Sequence, residues 1–162
     1  MRIGVVSDIH GSYEHLLRAV EAMEPIELLL HAGDGWADLV RWRREHPAVP
    51  VEMVVGNCDF PPVNAGYSVE LVLNLANKKV LLTHGHLFGA KTDLHRLARR
   101  GREIGADLVV FGHTHRPVVL RWGEILLFNP GALSAARCYG RPSYGLLEIS
   151  PDGTIRTGHG YL

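Results

Sequence analysis

Histidine is frequent in this chain and is concentrated in two short segments. Ten of the 162 residues are histidine, and four of them lie in His84-Gly85-His86 and His113-Thr114-His115. Imidazole nitrogen is a common transition-metal ligand, so these pairs predict a metal site before any other kind of site. Residues two apart on an extended segment point to the same side, which would let both members of a pair face one ion.

Potential metal ligands also follow directly after five short apolar segments. They are Asp8 and His10 after 3–6, Asp34 after 28–30, Asn57 after 53–55, His84 after 80–83, and His113 and His115 after 108–111. Ligands of open α/β sheets bind just beyond the carboxyl ends of the strands. If these strands share a sheet and run the same way, all seven side chains converge on one rim. A lone histidine after a strand is usually a hydrogen-bonded surface residue, but five such placements together favour a metal centre.

Three glycines precede candidate ligands, namely Gly33, Gly56 and Gly112. Glycine lets the backbone turn sharply and keeps side-chain bulk away from a cation. His31, in contrast, lies inside an apolar strand and is predicted to be a core histidine.

The apolar periodicity predicts the elements that position these side chains. Strands are expected at 3–6, 26–30, 51–55, 67–75, 80–83, 108–111, 118–121, 125–128, 144–149 and 154–157, and helices from Ser12 to Pro25, at 37–45 and at 93–102. The strands after residue 117 are predicted to form an antiparallel meander. The order favours an α/β fold in which two mixed β-sheets pack face to face as a sandwich and helices cover the outer faces. We expect a single domain over 1–162, in which Pro61-Pro62 and Gly66 mark a mobile loop.

Composition excludes several classes of protein. The 17 basic residues balance the 17 acidic ones, so nothing in the net charge indicates a nucleic-acid partner, and the arginines of 41–44 and 96–102 are interleaved with acidic residues. Two cysteines are too few for a disulfide framework. No apolar run approaches the roughly 18 residues that span a bilayer, and the apolar start is too short for a signal peptide. The expectation is a soluble cytoplasmic protein with no membrane partner; the sequence leaves open a homo-oligomer.

The same residues carry a family resemblance. The sequence resembles the calcineurin-like metallophosphoesterases, and within them the small bacterial and archaeal phosphodiesterases that lack additional domains. The matching motifs, in order, are Asp8-Ile9-His10, Gly33-Asp34, Gly56-Asn57-Cys58-Asp59, His84-Gly85-His86, Gly112-His113-Thr114-His115 and Asn129-Pro130-Gly131-Ala132. The resemblance implies a four-layer αββα sandwich of the metal-dependent phosphatase type.

The resemblance also implies a role for each candidate ligand. Asp8, His10 and His115 would hold one metal, and Asn57, His84 and His113 a second. Asp34 would bridge both. Mixed nitrogen and oxygen ligands suit transition metals better than Mg²⁺ or Ca²⁺. Mn²⁺ is preferred by resemblance alone, and Ni²⁺, Zn²⁺ and Fe remain open.

Such a site predicts a hydrolase acting on a phosphate-ester small molecule or a nucleotide. A hydroxide bridging ions about 3.5–4 Å apart would attack phosphorus in line. The two ions bring four positive charges, two carboxylates remove two and the hydroxide one, so the net +1 favours a phosphodiester monoanion over a phosphomonoester. Asp34 and Asn57 are the predicted catalytic residues of the metal pair.

One position departs from the family pattern. Relatives carry a histidine that protonates the leaving oxygen, whereas this chain has Cys58, interpreted as a small packed residue. We therefore expect proton delivery to be weak, or to come from His86 or water. His86 is otherwise expected to orient His84 or phosphate. Asp59 is predicted either to orient a histidine or to cap the following loop.

Two alternatives remain at this stage. The same fold includes a retromer-type interaction scaffold whose metal site has degenerated, which would lack ligands; none of the seven is missing here. A binuclear zinc hydrolase of the β-lactamase type would need a His-x-His-x-Asp-His run, which the sequence lacks.

Overall fold

Alternating apolar residues place ten strands in two five-stranded sheets. The computed structural model describes residues 1–62 and 65–162. The strands are β1 Arg2–Val6, β2 Leu28–His31, β3 Val51–Met53, β4 Glu70–Leu75, β5 Lys78–Thr83, β6 Leu108–Val110, β7 Pro117–Trp122, β8 Ile125–Pro130, β9 Ser143–Ile149 and β10 Ile155–Tyr161. The helices are α1 Tyr13–Met23, α2 Trp36–Glu45 and α3 His95–Glu103, with a short 3₁₀ helix at His86–Phe88.

Both sheets are mixed, as expected. The first has the order β10-β9-β1-β2-β3, in which β1, β2 and β3 run parallel, β9 pairs antiparallel with β1, and β10 pairs antiparallel with β9. The second has the order β4-β5-β6-β8-β7, in which β5, β6 and β8 run parallel. At the edges of this second sheet, β4 pairs antiparallel with β5, and β7 pairs antiparallel with β8.

Three layers of apolar contacts hold the sandwich together. Between the sheets, Ile3 and Val5 of β1 belong to the same buried cluster as Val80 and Leu82 of β5. The alternate residues of the first sheet face α1 and α2, whose apolar sides include Leu16, Leu39 and Trp42. Leu97 and Ala98 of α3 cover the outer face of the second sheet. The central strands β1, β2, β5, β6 and β8 bury both faces over most of their length, which explains their nearly continuous apolar sequences. These contacts confirm the predicted helix–sheet–sheet–helix fold.

Several local predictions need correction. The strands after residue 117 form two separate hairpins, because β8 pairs with β6 in one sheet and β9 with β1 in the other. The prediction of one meander was therefore wrong. The 3₁₀ helix at His86–Phe88 was not predicted. The loop expected around Pro61-Pro62 and Gly66 includes residues 63–64, which lie outside the described residues.

Two predictions about single features can be checked directly. His31 is fully buried, as predicted for a core histidine, and burial lowers the pKa of its imidazole to about 4. In the part of the chain that the structure covers, no helix is long and apolar enough to cross a bilayer.

Candidate metal centre

The carboxyl ends of five parallel strands meet at one rim of the sandwich. They belong to two sheets rather than one, because β1, β2 and β3 lie in the first sheet and β5 and β6 in the second. The condition given for convergence, a single shared sheet, is not met, but face-to-face packing of the two predicted sheets brings their edges to the same rim. The loops that follow these strands carry all seven candidate ligands.

The side chains at the rim form one connected set. His115 Nε2 lies 3.1 Å from Asp8 Oδ1, and His10 Nε2 lies 3.7 Å from both that atom and Asp34 Oδ2. His84 Nε2 lies 3.4 Å from Asp34 Oδ2 and 3.2 Å from Asn57 Oδ1. The ring centroids of His84 and His113 are 5.0 Å apart. Side chains from distant parts of the sequence therefore meet around two central carboxylates.

Both carboxylates are buried and held by donors that favour their charged form. Asp8 Oδ2 accepts hydrogen bonds from Ser7 Oγ at 2.7 Å and from the backbone N–H of His113 at 3.0 Å. Burial alone would raise the pKa of Asp8, but the imidazoles of His10 and His115 outweigh it and hold the pKa well below its usual range.

Asp34 behaves in the same way. Its Oδ1 accepts a hydrogen bond from the backbone N–H of Cys58 at 2.7 Å. Burial acts to raise its pKa, but His84 and the Cys58 N–H together lower it to about 2. Two ionised carboxylates in a buried cluster attract cations strongly.

Backbone carbonyls orient two of the histidines. His84 Nδ1 lies 2.7 Å from the carbonyl oxygen of Ala32, and His115 Nδ1 lies 2.9 Å from that of Arg137. A ring nitrogen that faces a carbonyl must carry the proton, which leaves the Nε2 lone pair free to bind a metal. The free Nε2 atoms point at Asp34 and Asp8 respectively.

The orphaned polar atoms of the cluster fit a metal ion. Asp8 Oδ1 and His10 Nε2 are buried and have no hydrogen-bond partner. A buried acceptor without a partner costs about 1–3 kcal/mol, and bound cations would satisfy both atoms. Three groups have potential ligand atoms within 4.8 Å of one another: Asp8, His10 and His115; His10, Asp34 and Cys58; Asp8, Asp34 and His84.

The backbone is strained at most of the candidate ligands. Five of the seven candidate ligands have φ between 46° and 67°, a region that residues other than glycine rarely adopt. They are Asp8, His10, Asp34, His113 and His115. Such residues cost about 1–3 kcal/mol each and cluster at functional sites. The fold therefore holds these side chains at the rim at the expense of local stability.

Neutral side chains complete the cluster. Burial, with a contribution from His84, lowers the pKa of His113 to about 4. Burial also lowers the pKa of His86, whose ring lies 5.3 Å from that of His84 and whose Nδ1 is buried without a hydrogen-bond partner. No hydrogen bond joins His86 to His84 among the described residues, so the orienting role of His86 stays a prediction.

Asp59 holds the rim through its hydrogen bonds to the backbone. Its Oδ2 accepts from the N–H groups of Asp34 and Gly56, both at 2.8 Å. Its Oδ1 accepts from those of Gly35 and Trp36, both at 2.9 Å, at the start of α2. The four donors lie at residues 34–36 and 56, and none lies in the described part of the loop that follows Asp59, so Asp59 directly links the Asp34 and Gly56 turns instead of capping that loop.

Two supporting contacts were missed in the sequence. The buried amide of Asn129 donates to the Gly112 carbonyl at 2.7 Å and to Thr114 Oγ1 at 3.1 Å. His159 lies 2.7 Å, through Nε2, from the Asn129 carbonyl. The Asn-Pro-Gly-Ala motif gave a signal for Asn129, whereas no sequence pattern linked His159 to this loop.

Basic side chains border the rim. Burial and Asp34 raise the pKa of the Cys58 thiol, whereas the guanidinium of Arg137 acts to lower it. Arg137 therefore lies beside the cluster. A cleft of about 430 Å³ next to the His113–His115 loop is lined in part by Lys91 and Arg116. Neither Arg137 nor this cleft was predicted from the sequence.

Comparisons with known proteins agree with this geometry. The family model described as a calcineurin-like phosphoesterase superfamily domain matches residues 1–152. The chain is 36% identical to the probable metallophosphoesterase YsnB of Bacillus subtilis, covering 96% of this chain and 89% of YsnB. It is 34% identical to the phosphodiesterase YfcE of Escherichia coli, covering 91% and 88%.

Similar folds also occur among solved structures. The structure of vacuolar protein sorting 29 from Cryptosporidium parvum matches with a TM-score of 0.76 at 21% identity, over 99% of this chain and 97% of that one. At this identity the likeness concerns the fold alone. Together with the family model and the two bacterial relatives, it confirms the predicted resemblance: the chain belongs to the calcineurin-like phosphoesterase superfamily.

Proposed function

We propose that the rim binds two divalent metal ions and hydrolyses a phosphodiester. Asp8, His10 and His115 would hold one ion and Asn57, His84 and His113 the other, with Asp34 between them. The observation that carries the proposal is the pair of buried atoms without partners, Asp8 Oδ1 and His10 Nε2, inside a cluster of seven donors. Bound cations at this position would satisfy both atoms.

The contacts indicate a role for each group in the proposed reaction. When bound, the ions supply Lewis acidity for the phosphoryl oxygens and lower the pKa of water to give a nucleophile. Asp8 and Asp34 provide the negative charge that retains the ions. Carbonyl-oriented His84 and His115 present Nε2 without rearrangement, so little reorganisation is needed. Arg137 at the border would attract the anionic substrate.

The bond type is proposed from charge and from the relatives. Only two of the seven donors are carboxylates, so the occupied rim keeps a positive charge suited to a monoanion. The relative YfcE is named a phosphodiesterase, which supports the same choice. The adjacent cleft with Lys91 and Arg116 would receive the organic part of the ester.

The other residues that were predicted to be catalytic have different roles in this proposal. Asn57 contributes its amide oxygen as a ligand, and Asp59 positions the Asp34 and Gly56 turns without contact with substrate. His86, or water, would protonate the leaving group. Mn²⁺ as the working metal, the extent of the domain over 1–162, a cytoplasmic location and a homo-oligomer remain predictions.

The experiment is a panel of phosphodiesters, phosphomonoesters and nucleotides, assayed with Mn²⁺, Ni²⁺, Zn²⁺ or Mg²⁺. We expect diester hydrolysis with a transition metal and nearly complete loss of turnover in Asp34→Asn. An Asp34→Asn enzyme with normal turnover in defined metal would contradict the proposal, as would faster hydrolysis of monoesters than of diesters.

An interaction scaffold is the second candidate, because the fold is also that of vacuolar protein sorting 29. The two candidates differ in a simple measurement. A scaffold would bind its protein partner equally well in wild type and Asp34→Asn and would turn over none of the panel with any metal. The complete set of seven donors favours the enzyme.

A further inference from the structure

A thiol lies among the donor atoms that we assign to the first ion. Cys58 Sγ, His10 Nε2 and a carboxylate oxygen of Asp34 are grouped within 4.8 Å of one another. His10 is the independent pointer to a ligand, because its side chain is only 9% exposed and its Nε2 has no hydrogen-bond partner. Neither the family motifs nor the proposed ligand set gives this cysteine a metal.

The backbone holds the thiol at this place. The N–H of Cys58 donates to Asp34 Oδ1 at 2.7 Å, so the residue is tied to the carboxylate shared by both ions. The neighbouring Asp59 fixes the same turn through Gly56 N–H at 2.8 Å. Asn57 Nδ2 donates to Sγ at 3.3 Å, which shows that the sulfur lies beside another proposed ligand.

The distances allow a shared ion. Zn²⁺ binds sulfur at about 2.3 Å and histidine nitrogen at about 2.0–2.1 Å in a tetrahedral arrangement, so two such ligand atoms lie about 3.6 Å apart. At the upper bound of 4.8 Å, the thiol has to shift by about 1 Å. The Cys58 side chain is exposed and has one rotatable bond, so this adjustment requires no movement of the core.

From this juxtaposition we propose that Cys58 Sγ is an additional ligand to the ion held by His10 and Asp34, and that it biases the centre towards thiophilic metals such as Zn²⁺ and Co²⁺. The inference rests on the proposed function, because it adds a donor to the same pair of ions. On binding, the S–H bond breaks, its proton passes to water and a sulfur–metal bond forms, without oxidation or reduction. A divalent ion deprotonates a coordinating thiol outright.

The direct test is the absorption spectrum of the protein titrated anaerobically with Co²⁺. Thiolate bound to Co²⁺ gives an intense charge-transfer band in the near ultraviolet, which histidine and carboxylate ligands do not give. We expect the band in the wild type and in Cys138→Ser, and its loss in Cys58→Ser. Cys138 is the matched control because its sulfur donates to the Ala135 carbonyl at 3.5 Å and, among the described residues, belongs to none of the groups that could hold a metal ion.

A second readout is metal preference, measured by competition with a chromophoric chelator. Loss of a contact that merely supports a metal ligand costs about 10–100-fold in affinity, so loss of a ligand should weaken Zn²⁺ binding by at least about tenfold. Mn²⁺ prefers oxygen and nitrogen donors, and its affinity for Cys58→Ser should change much less. Zn²⁺ should also protect Cys58, and not Cys138, from alkylation detected by mass spectrometry.

The outcomes separate this inference from the proposed function. Tight Co²⁺ binding without the band, together with equal Zn²⁺ affinity in the wild type and Cys58→Ser, would overturn the thiol ligand and leave the two-ion centre standing. Failure of the wild type to bind Co²⁺, Zn²⁺ or Mn²⁺ any better than Asp34→Asn does would overturn both.

Discussion

Replacement of Asp59 by asparagine tests whether one carboxylate outside the ligand set assembles the rim. Asp59 accepts four backbone hydrogen bonds, two on each oxygen, and they join the turn after β2, the start of α2 and the turn after β3. Asparagine has the same shape but only one carbonyl oxygen. Its NH₂ group would face two N–H donors, so two of the four bonds would be lost and replaced by repulsion.

The magnitude follows from these contacts. Hydrogen bonds to a charged group contribute about 1.5–3 kcal/mol each, and two lost bonds set an upper bound of about 6 kcal/mol. Asp59 is half-buried, so water compensates in part, and we expect a loss of about 2–4 kcal/mol in the free energy of unfolding. For a chain of this length each kcal/mol shifts Tm by about 2–4 °C, which gives a decrease of roughly 5–15 °C.

The effect on metal binding is a separate consequence. Two of the bonds hold the N–H of Asp34 and of Gly56, so their loss should loosen the shared carboxylate and weaken metal affinity about 10–100-fold. Each tenfold loss removes about 1.4 kcal/mol of the stabilisation that excess metal provides. The increase in Tm on adding Mn²⁺ or Zn²⁺ should therefore be smaller in the variant than in the wild type.

The assay is thermal unfolding by circular dichroism, with and without excess metal. Asp152→Asn is the control, because Asp152 accepts one backbone hydrogen bond, from Thr154 at 2.9 Å, in the turn between β9 and β10. We expect the control to shift Tm by no more than about 2 °C, since exposed surface substitutions are usually within about 0.5 kcal/mol. An Asp59→Asn protein with wild-type Tm and wild-type metal affinity would refute the reasoning.

Three further predictions concern other parts of the molecule. In Gly56→Ala, the new Cβ would lie 2.1 Å from Asp34 Oδ1 and displace that carboxylate. We expect metal binding to be at least about tenfold weaker, as measured by competition with a chelator. An unchanged metal affinity would count against the site. In Asp107→Asn, loss of the bond from Lys78 Nζ at 3.0 Å should cost about 1 kcal/mol at pH 7 in urea unfolding. Burial would raise the pKa of Asp107, but its hydrogen bonds from the backbone and from Lys78 lower it. The stabilisation by Asp107 is therefore present above about pH 3.8 and is lost as the pH falls through the lowered pKa of the folded state. A difference in stability between the wild type and Asp107→Asn that persists at pH 2 would contradict the assignment. Because the family resemblance predicts a proton-donating histidine where this chain has Cys58, we expect aryl phosphodiesters to be hydrolysed much faster than alkyl ones, and equal rates would show that proton delivery is efficient.

The rim where the candidate metal ligands meet could be predicted from the sequence because its signal is local. Each candidate ligand follows an apolar segment within a few residues, and the carboxyl ends of parallel strands share an edge. Asp8 and His10 after β1, and His113 and His115 after β6, occupy such positions. The prediction assumed one shared sheet, and the side chains meet nevertheless because the edges of the two packed sheets share one rim.

The division into sheets could not be read in the same way. The segments of β8 and β9 look like consecutive antiparallel strands, yet the chain crosses between sheets after Pro130. Their partners, β6 and β1, are chosen by packing between distant segments, and both arrangements bury the same apolar residues. Sequence periodicity reports which face of a strand is buried but not which strand lies beside it.

Supporting contacts were also beyond sequence reasoning. The sequence did not decide between two roles for Asp59, because the four N–H groups that donate hydrogen bonds to it belong to residues 34–36 and 56. No sequence pattern indicated a role for His159, whose ring stacks on Phe128 and hydrogen-bonds to the Asn129 carbonyl. Both roles depend on contacts between segments far apart in the sequence.

The claim on which the account depends is that the rim holds a pair of ions that share Asp34. Anomalous diffraction from crystals grown with Mn²⁺ measures this directly. We predict two anomalous peaks per chain, one beside Asp8, His10 and His115 and one beside Asn57, His84 and His113, both within bonding distance of Asp34. A single peak, or peaks away from these side chains in fully loaded crystals, would contradict the two-ion centre.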